Sequence, residues 1–192
     1  MRKFSLYVGA LLALVAAGAA YSAASPSAKL EKQDRLYGGG QFAAGCFTYE
    51  DGTQYPLCFG AARNLSVDAH AEGNGAEAVG DSNYAAPGSG AEGRRSVTCL
   101  RVDGTHAVIG GIILTGSNAG WGFVQFYVDR GTVGSGPRDL VGPSFNDTVE
   151  ALATIVPGFP ASCPPPSGTQ DLPPVYRELE WGDIVVQDAP AD

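Results

Sequence analysis

The stretch Asn64–Glu72, NLSVDAHAE, holds the residues of this sequence best suited to chemistry. Read as a β-strand, it sends Leu65, Val67, Ala69 and Ala71 to one side and Ser66, Asp68, His70 and Glu72 to the other. An aspartate, a histidine and a glutamate at alternate positions share a face. Side chains so placed can move a proton or hold a metal. A half-buried antiparallel strand shows the same pattern simply by turning one polar face to water. The solvated face is the first reading of Asp68, His70 and Glu72, and catalysis the second. Orientation decides between them: a concave cavity holding these residues favours ligand chemistry, and an open face favours a structural role.

Little else in the chain suggests a reaction. His106 follows a hairpin turn and is expected at the surface. There is no G-x-S-x-G elbow, no phosphate-binding loop, no zincin helix and no EF-hand spacing. Gly38–Gly40 reads as a flexible entry, since no helix follows it to complete a phosphate cradle. Trp121, Phe123, Gln125 and Tyr127 alternate with Val124, Phe126 and Val128. A strand apolar on both faces is central and covered on both sides, so these aromatics read as core before they read as a ligand pocket. No cofactor-binding and no metal-binding residue is assigned.

The four cysteines, Cys46, Cys58, Cys99 and Cys163, match no zinc spacing and point to two disulfides. Four cysteines allow three pairings. Cys46 and Cys58 flank one local hairpin, which favours their bond and leaves Cys99 with Cys163. Chain entropy assigns the longer loop about 4 kcal/mol and the shorter about 3 kcal/mol.

The elements that must position these residues follow from the punctuation of the chain. Residues 1–24 carry Arg2 and Lys3, then a nearly unbroken apolar run from Leu6 to Ala20, then small residues. That order predicts a secretory signal peptide cut after Ala24; the run falls short of the ~20 residues of a membrane span. Residues 25–37 read as a flexible lead-in, and 38–190 as a single domain with a proline-rich connector at 157–174. The leader holds two of the 12 basic and none of the 20 acidic residues, so its removal takes the net charge from −8 to −10. Such a chain repels nucleic acid and anionic membranes; neither is expected as a partner.

Short strand patterns meet at Asp51-Gly52 and Asp103-Gly104, dipeptides suited to type I′ hairpin turns. Asp129–Gly131 is a third turn candidate. Glu72–Gly93 reads as a long surface loop with a weak strand near Ser82–Ala85. DTVEALATIV allows one short helix near 147–156, with Asp147 as its N-cap, although its β-branched residues leave a strand open. The last residues, YRELEWGDIVVQDA, offer two strands around Gly182-Asp183. The expected fold is all-β: an antiparallel β-barrel, closed or nearly so, with a two-sheet β-sandwich as the alternative.

Four blocks carry a further signal: LSVDAH (65–70), VTCLRVDGTHAVIGGII (97–113), GWGFVQFYVDRG (120–131) and WGDIVVQDA (181–189). In this order they resemble a family of small secreted bacterial proteins of unknown function. Its blocks read F-x-F-D-A-H, V-T-C-L-x-V-x-G-N-x-A-x-I-G-G, G-F-x-F-x-V-x-D-x-G and G-D-x-x-V-x-D-A. Leu65 and Val67 stand where that family has phenylalanines, and the Cys46–Cys58 hairpin is an addition. The resemblance implies a secreted scaffold and no particular activity.

The expected function is a secreted, extracellular, non-catalytic binding or surface-interaction protein. Its partner would be an extracellular ligand or a component of the cell envelope. One alternative is an enzyme of the barrel interior, a hydrolase or isomerase using Asp68 and His70. The other is a structural extracellular component.

Overall fold

The computed structural model describes residues 33–72, 77–87, 91–131 and 137–189. The predicted leader and residues 25–32 of the lead-in lie outside them. The regular elements of the described chain are all strands except for one helix. β1 spans Gln33–Phe42, β2 Gly45–Tyr49, β3 Gln54–Phe59, β4 Arg63–Glu72, β5 Val79–Ala86 and β6 Ala91–Asp103. β7 spans His106–Ile113, β8 Gly122–Val128, β9 Leu140–Val141 and β10 Phe145–Asp147; helix α1 (Val149–Ile155) follows, then β11 (Val175–Glu178) and β12 (Trp181–Gln187). β1 thus takes in residues 33–37, the last five of the predicted lead-in.

All pairings are antiparallel, and they run in one path: β12-β1-β4-β5-β6-β7-β8-β9-β11-β2-β3, with β10 also on β8. The path coils until strands that are not neighbours touch, β1 against β6 and β12 against β8. It does not close, and the predicted barrel is corrected to an open, coiled antiparallel sheet. The reason lies at β12. Its free edge meets carboxylates instead of another strand: Ile184 N donates to Asp139 Oδ2 at 2.8 Å and Val186 N to Asp129 Oδ2 at 3.0 Å. Side chains satisfy the edge amides that a closing ladder would have satisfied.

The coiled sheet encloses one core. Leu36, Leu65, Val67, Val97, Ile109 and Phe123 meet in it, as the inward residues of successive strands. A second core lies on the back of β8, where Val124, Phe126 and Val128 pack under Leu152 of α1 and Phe159 of the connector. Every residue of β8 is buried, as its two-sided apolar sequence predicts, and Trp121 lies just outside it, exposed. The Cys99–Cys163 bond ties β6 to the connector beside this second core, and Cys46–Cys58 cross-links β2 to β3. Two disulfides suggest an oxidising, extracellular-type environment. Among the described residues no helix is long and apolar enough to cross a membrane.

Several local expectations change. Gly38–Gly40 is a tight seam between β4 and β12 rather than a flexible entry: a Cβ on Gly38 would stand 2.1 Å from Asp183 O, and one on Gly40 2.2 Å from Trp181 O. The weak strand expected near Ser82–Ala85 in the loop after Glu72 is the longer β5, fully paired between β4 and β6. Its small residues have low strand propensity, but a Cβ on Gly80 would stand 2.1 Å from Asp68 O, so the close approach requires glycine there. Neither hairpin turn is type I′, because only their glycines have positive φ. At the first turn Asp51 Oδ1 instead accepts from Thr53 N, with Gly52 at φ 88°. The second turn has Gly104 and Thr105 at its centre, between the paired Asp103 and His106. Thr148, not Asp147, caps α1: its hydroxyl accepts from Ala151 N at 3.2 Å, while Asp147 accepts from Thr148 N. The last two strands break at Leu179-Glu180, ahead of Gly182, and lie in different parts of the sheet.

Candidate functional site

β4 alternates as its sequence requires. Leu65, Val67, Ala69 and Ala71 are buried; Ser66, Asp68 and Glu72 are exposed and His70 is half-buried. The structure therefore brings Asp68 and His70 onto one face, and that face is the solvent side of the sheet. Asp68 lies between Tyr37 and Asp81 in the ladder, and His70 between Arg35 and Val79. Glu72 Oε1 accepts from Gln33 Nε2 at 3.4 Å, and Ser66 Oγ from Asn83 Nδ2 at 3.4 Å. Ser66 also borders an open groove of about 620 Å³ with Asn64, Asn83, Glu92, Arg94 and Thr115. Asp68, His70 and Glu72 are not part of it. Among the described residues no group of three or more His, Cys, Asp or Glu side chains is arranged to hold a metal ion.

His106 lies beside the connector, half-buried, with Nε2 3.2 Å from Glu50 Oε2 and Nδ1 3.3 Å from Thr105 Oγ1. Burial raises the Tyr176 phenol above its ordinary range, and the Glu50 carboxylate adds to the shift. These residues border a surface recess of about 420 Å³ with Asp103, Pro166 and Pro174.

A smaller, more enclosed pocket of about 300 Å³ opens at the end of the coiled sheet where β1 finishes and β4 begins. Its walls are Phe42, Phe59, Leu65 and Tyr84, with Asn64, Ser144 and Asn146 beside them. Its floor is charged. Arg95, on the inward face of β6, is only 3 % exposed. Its guanidinium lies 4.3 Å from the centre of the Tyr84 ring and 5.0 Å from that of Phe123. NH1 donates to Gln125 Oε1 at 2.9 Å, whereas Nε is buried with no hydrogen-bond partner. Gln125 is held in turn: Tyr127 Oη donates to the same oxygen at 3.0 Å, and Gln125 Nε2 donates to Gly142 O at 2.9 Å. Burial pushes the Tyr127 phenol up to about 12, against the opposing pull of the Arg95 charge and a hydrogen bond with Ser82. Burial likewise pushes the Arg95 guanidinium below its ordinary value, while Tyr127 and Tyr84 favour its charged form.

A second arginine borders the pocket. Arg63, at the start of β4, stacks 5.0 Å from the centre of the Phe59 ring, and its NH1 is buried without a partner. Among the described residues no carboxylate pairs with either arginine, and no Asp, Glu, His or Cys lines the pocket. The arrangement is a cationic, partly apolar recess lined by no carboxylate, imidazole or thiol.

The sequence reading missed Arg95 and Arg63. One signal was present: Gln125 is the only polar side chain in GFVQFYV, and a glutamine inside a doubly buried strand needs partners from neighbouring strands. Arg95 gave no such signal, because it stands next to Arg94 in a short polar run. Alternation exposes the first and buries the second. The chain matches no known family model, no curated protein and no solved structure.

Proposed function

We propose that the protein is a secreted, non-catalytic binding module whose ligand occupies the pocket between Phe42, Phe59, Tyr84 and Arg95. One observation carries this reading: the recess holds arginines and aromatic rings but no carboxylate, imidazole or thiol, while Asp68 and His70 stand outside it on the solvent face. General acid–base catalysis needs a titratable group within hydrogen-bond reach of the reacting atom. Ser144, the hydroxyl side chain beside the recess, donates to Asn146 Oδ1 and has no base beside it. Secretion rests on the leader sequence and agrees with the oxidised cysteines. The four blocks that resemble a family of small secreted bacterial proteins fit the same reading and name no reaction.

The test is a thermal-shift screen of the oxidised protein against small molecules, neutral and charged. At least one compound is expected to raise the melting temperature, and Phe59→Ala is expected to remove that shift while His70→Ala leaves it. A turnover activity abolished by Asp68→Ala and His70→Ala would overturn the reading in favour of the hydrolase or isomerase alternative. Exported protein is expected to begin near Ser25; cell-bound protein retaining Met1 would refute secretion.

A further inference from the structure

We infer that the pocket at Arg95 is built for a small monocarboxylate with an apolar, flat body, its carboxylate taken by Arg95 and Arg63. This inference rests on the binding-module reading and adds the ligand's chemistry. It starts from an imbalance. A buried guanidinium without a counter-charge is costly, because no anion replaces the water it has lost. The aromatic faces of Tyr84 and Phe123 and the oxygen of Gln125 compensate part of that loss. They leave Arg95 Nε orphaned, and Arg63 NH1 with it. Arg35 Nε and Arg177 NH1 are orphaned too but line none of the recesses described above, so what sets Arg95 and Arg63 apart is their place at the same pocket.

Both guanidiniums border the recess with no carboxylate of the described residues to answer them, which suits a carboxylate ligand. Charge-assisted bonds from guanidinium to carboxylate are also among the strong ones. The rest of the recess is ring and aliphatic surface from Phe42, Phe59, Leu65 and Tyr84, which suits an apolar body. Its volume, about 300 Å³, is at the small end of ligand pockets, so the body is compact. The chain's net negative charge does not oppose this. Charges on the far side of the molecule are screened beyond about 8 Å at physiological salt, and no carboxylate lines the recess.

The test is calorimetric titration of the purified, disulfide-intact protein with phenylacetate, its neutral amide phenylacetamide, and phenyl phosphate. Phenylacetate is expected to bind about tenfold or more tighter than phenylacetamide, the difference a charge-assisted hydrogen bond makes. Arg95→Met, similar in length but uncharged, is expected to lose that preference while melting no lower than the parent, because it removes an uncompensated buried charge. Arg63→Met, half-buried at the rim, is the second variant and is expected to weaken the preference if Arg95→Met misfolds. Equal affinity for acid and amide, or a preference that survives in both variants, would overturn the carboxylate assignment and leave the binding module standing. A preference for phenyl phosphate would overturn it as well. Absence of binding by any of the three, with no hit in the wider thermal-shift screen, would overturn both readings.

Discussion

Two groups of polar side chains lie on opposite faces of one sheet. On the outside of β4, Ser66, Asp68, His70 and Glu72 make a row that looks chemically able and lies on the solvent face of the sheet. On the inside, Ser82, Arg95, Gln125 and Tyr127 come from β5, β6 and β8, far apart in sequence, and form a buried hydrogen-bonded chain beside a pocket. The outer group is polar because water requires it. The inner group is polar in spite of its surroundings, which is why it carries the functional argument. Alternation along a strand produces the first group automatically, whereas the second needs several strands brought into register.

The largest expected effect concerns the clamp on the strand that carries Arg95. Cys99 lies four residues beyond Arg95 on β6, and its bond to Cys163 closes a loop with a sequence separation of 64. Replacing both cysteines by alanine is expected to cost about 4 kcal/mol by chain entropy. The Cys46–Cys58 pair, with a separation of 12, should cost less, about 3 kcal/mol. Urea denaturation of the two double variants measures the difference. A cost for Cys99/Cys163 smaller than for Cys46/Cys58 would contradict the ordering.

Gln125 is the next place to break the inner group. Gln125→Leu leaves an arginine donor and the Gly142 carbonyl without partners in the core, and leaves the Tyr127 hydroxyl with Ser82 alone. Each such orphan costs about 1–3 kcal/mol, more where charge is involved. A loss of about 3 kcal/mol is expected, read from the same urea transitions. A near-neutral result would mean that water reaches these atoms and that the inner group is not dry.

Asp34 sharpens the comparison from the other end of β1. It is also buried, but it has a partner: its Oδ1 accepts from Ala189 N at 2.9 Å. Burial raises its carboxyl above the ordinary 3.8, the Ala189 amide opposes the rise, and the Asp188 charge adds to it. A carboxyl raised in the folded state binds its proton more tightly there than in the unfolded chain. Its contribution to stability is complete below 3.8 and is lost as pH climbs through the raised folded value. Asp34→Asn keeps an oxygen for Ala189 and removes the charge. It is expected to melt above the parent at pH 7 and to lose that advantage below the ordinary value. Parallel melting curves at all pH values would refute the assignment.

How far the sequence could be read follows the same division. The all-β class, both disulfides, the doubly buried β8 and the one short helix were legible because each depends on local pattern or cysteine spacing. β5 was legible only as a weak strand near Ser82–Ala85, because its glycines and small residues are chosen for close strand contact, not for propensity. The open sheet was hidden because Asp129 and Asp139 cap β12 from more than forty residues away in sequence. The two arginines of the pocket were hidden for a third reason. A charged residue in a short polar run gives no sign of which face it will take until the register of β6 is known.

The smallest effect expected belongs to the outer group, and its smallness is what the comparison needs. His70 is half-buried on the solvent side of β4, between Arg35 and Val79 in the ladder. Surface substitutions away from caps, turns and buried networks usually change stability by under about 1 kcal/mol. His70→Ala and Asp68→Ala are each expected to fall within that bound, to leave any ligand-induced thermal shift unchanged, and to leave the metal content of dialysed protein as it was. A β-strand face exposed to water has little to lose when a side chain is shortened, since water replaces whatever the side chain touched. Metal retained through dialysis by the parent and lost by both variants would reverse the comparison. The outer row would then be a built site, and the inner arginines a structural feature of the core.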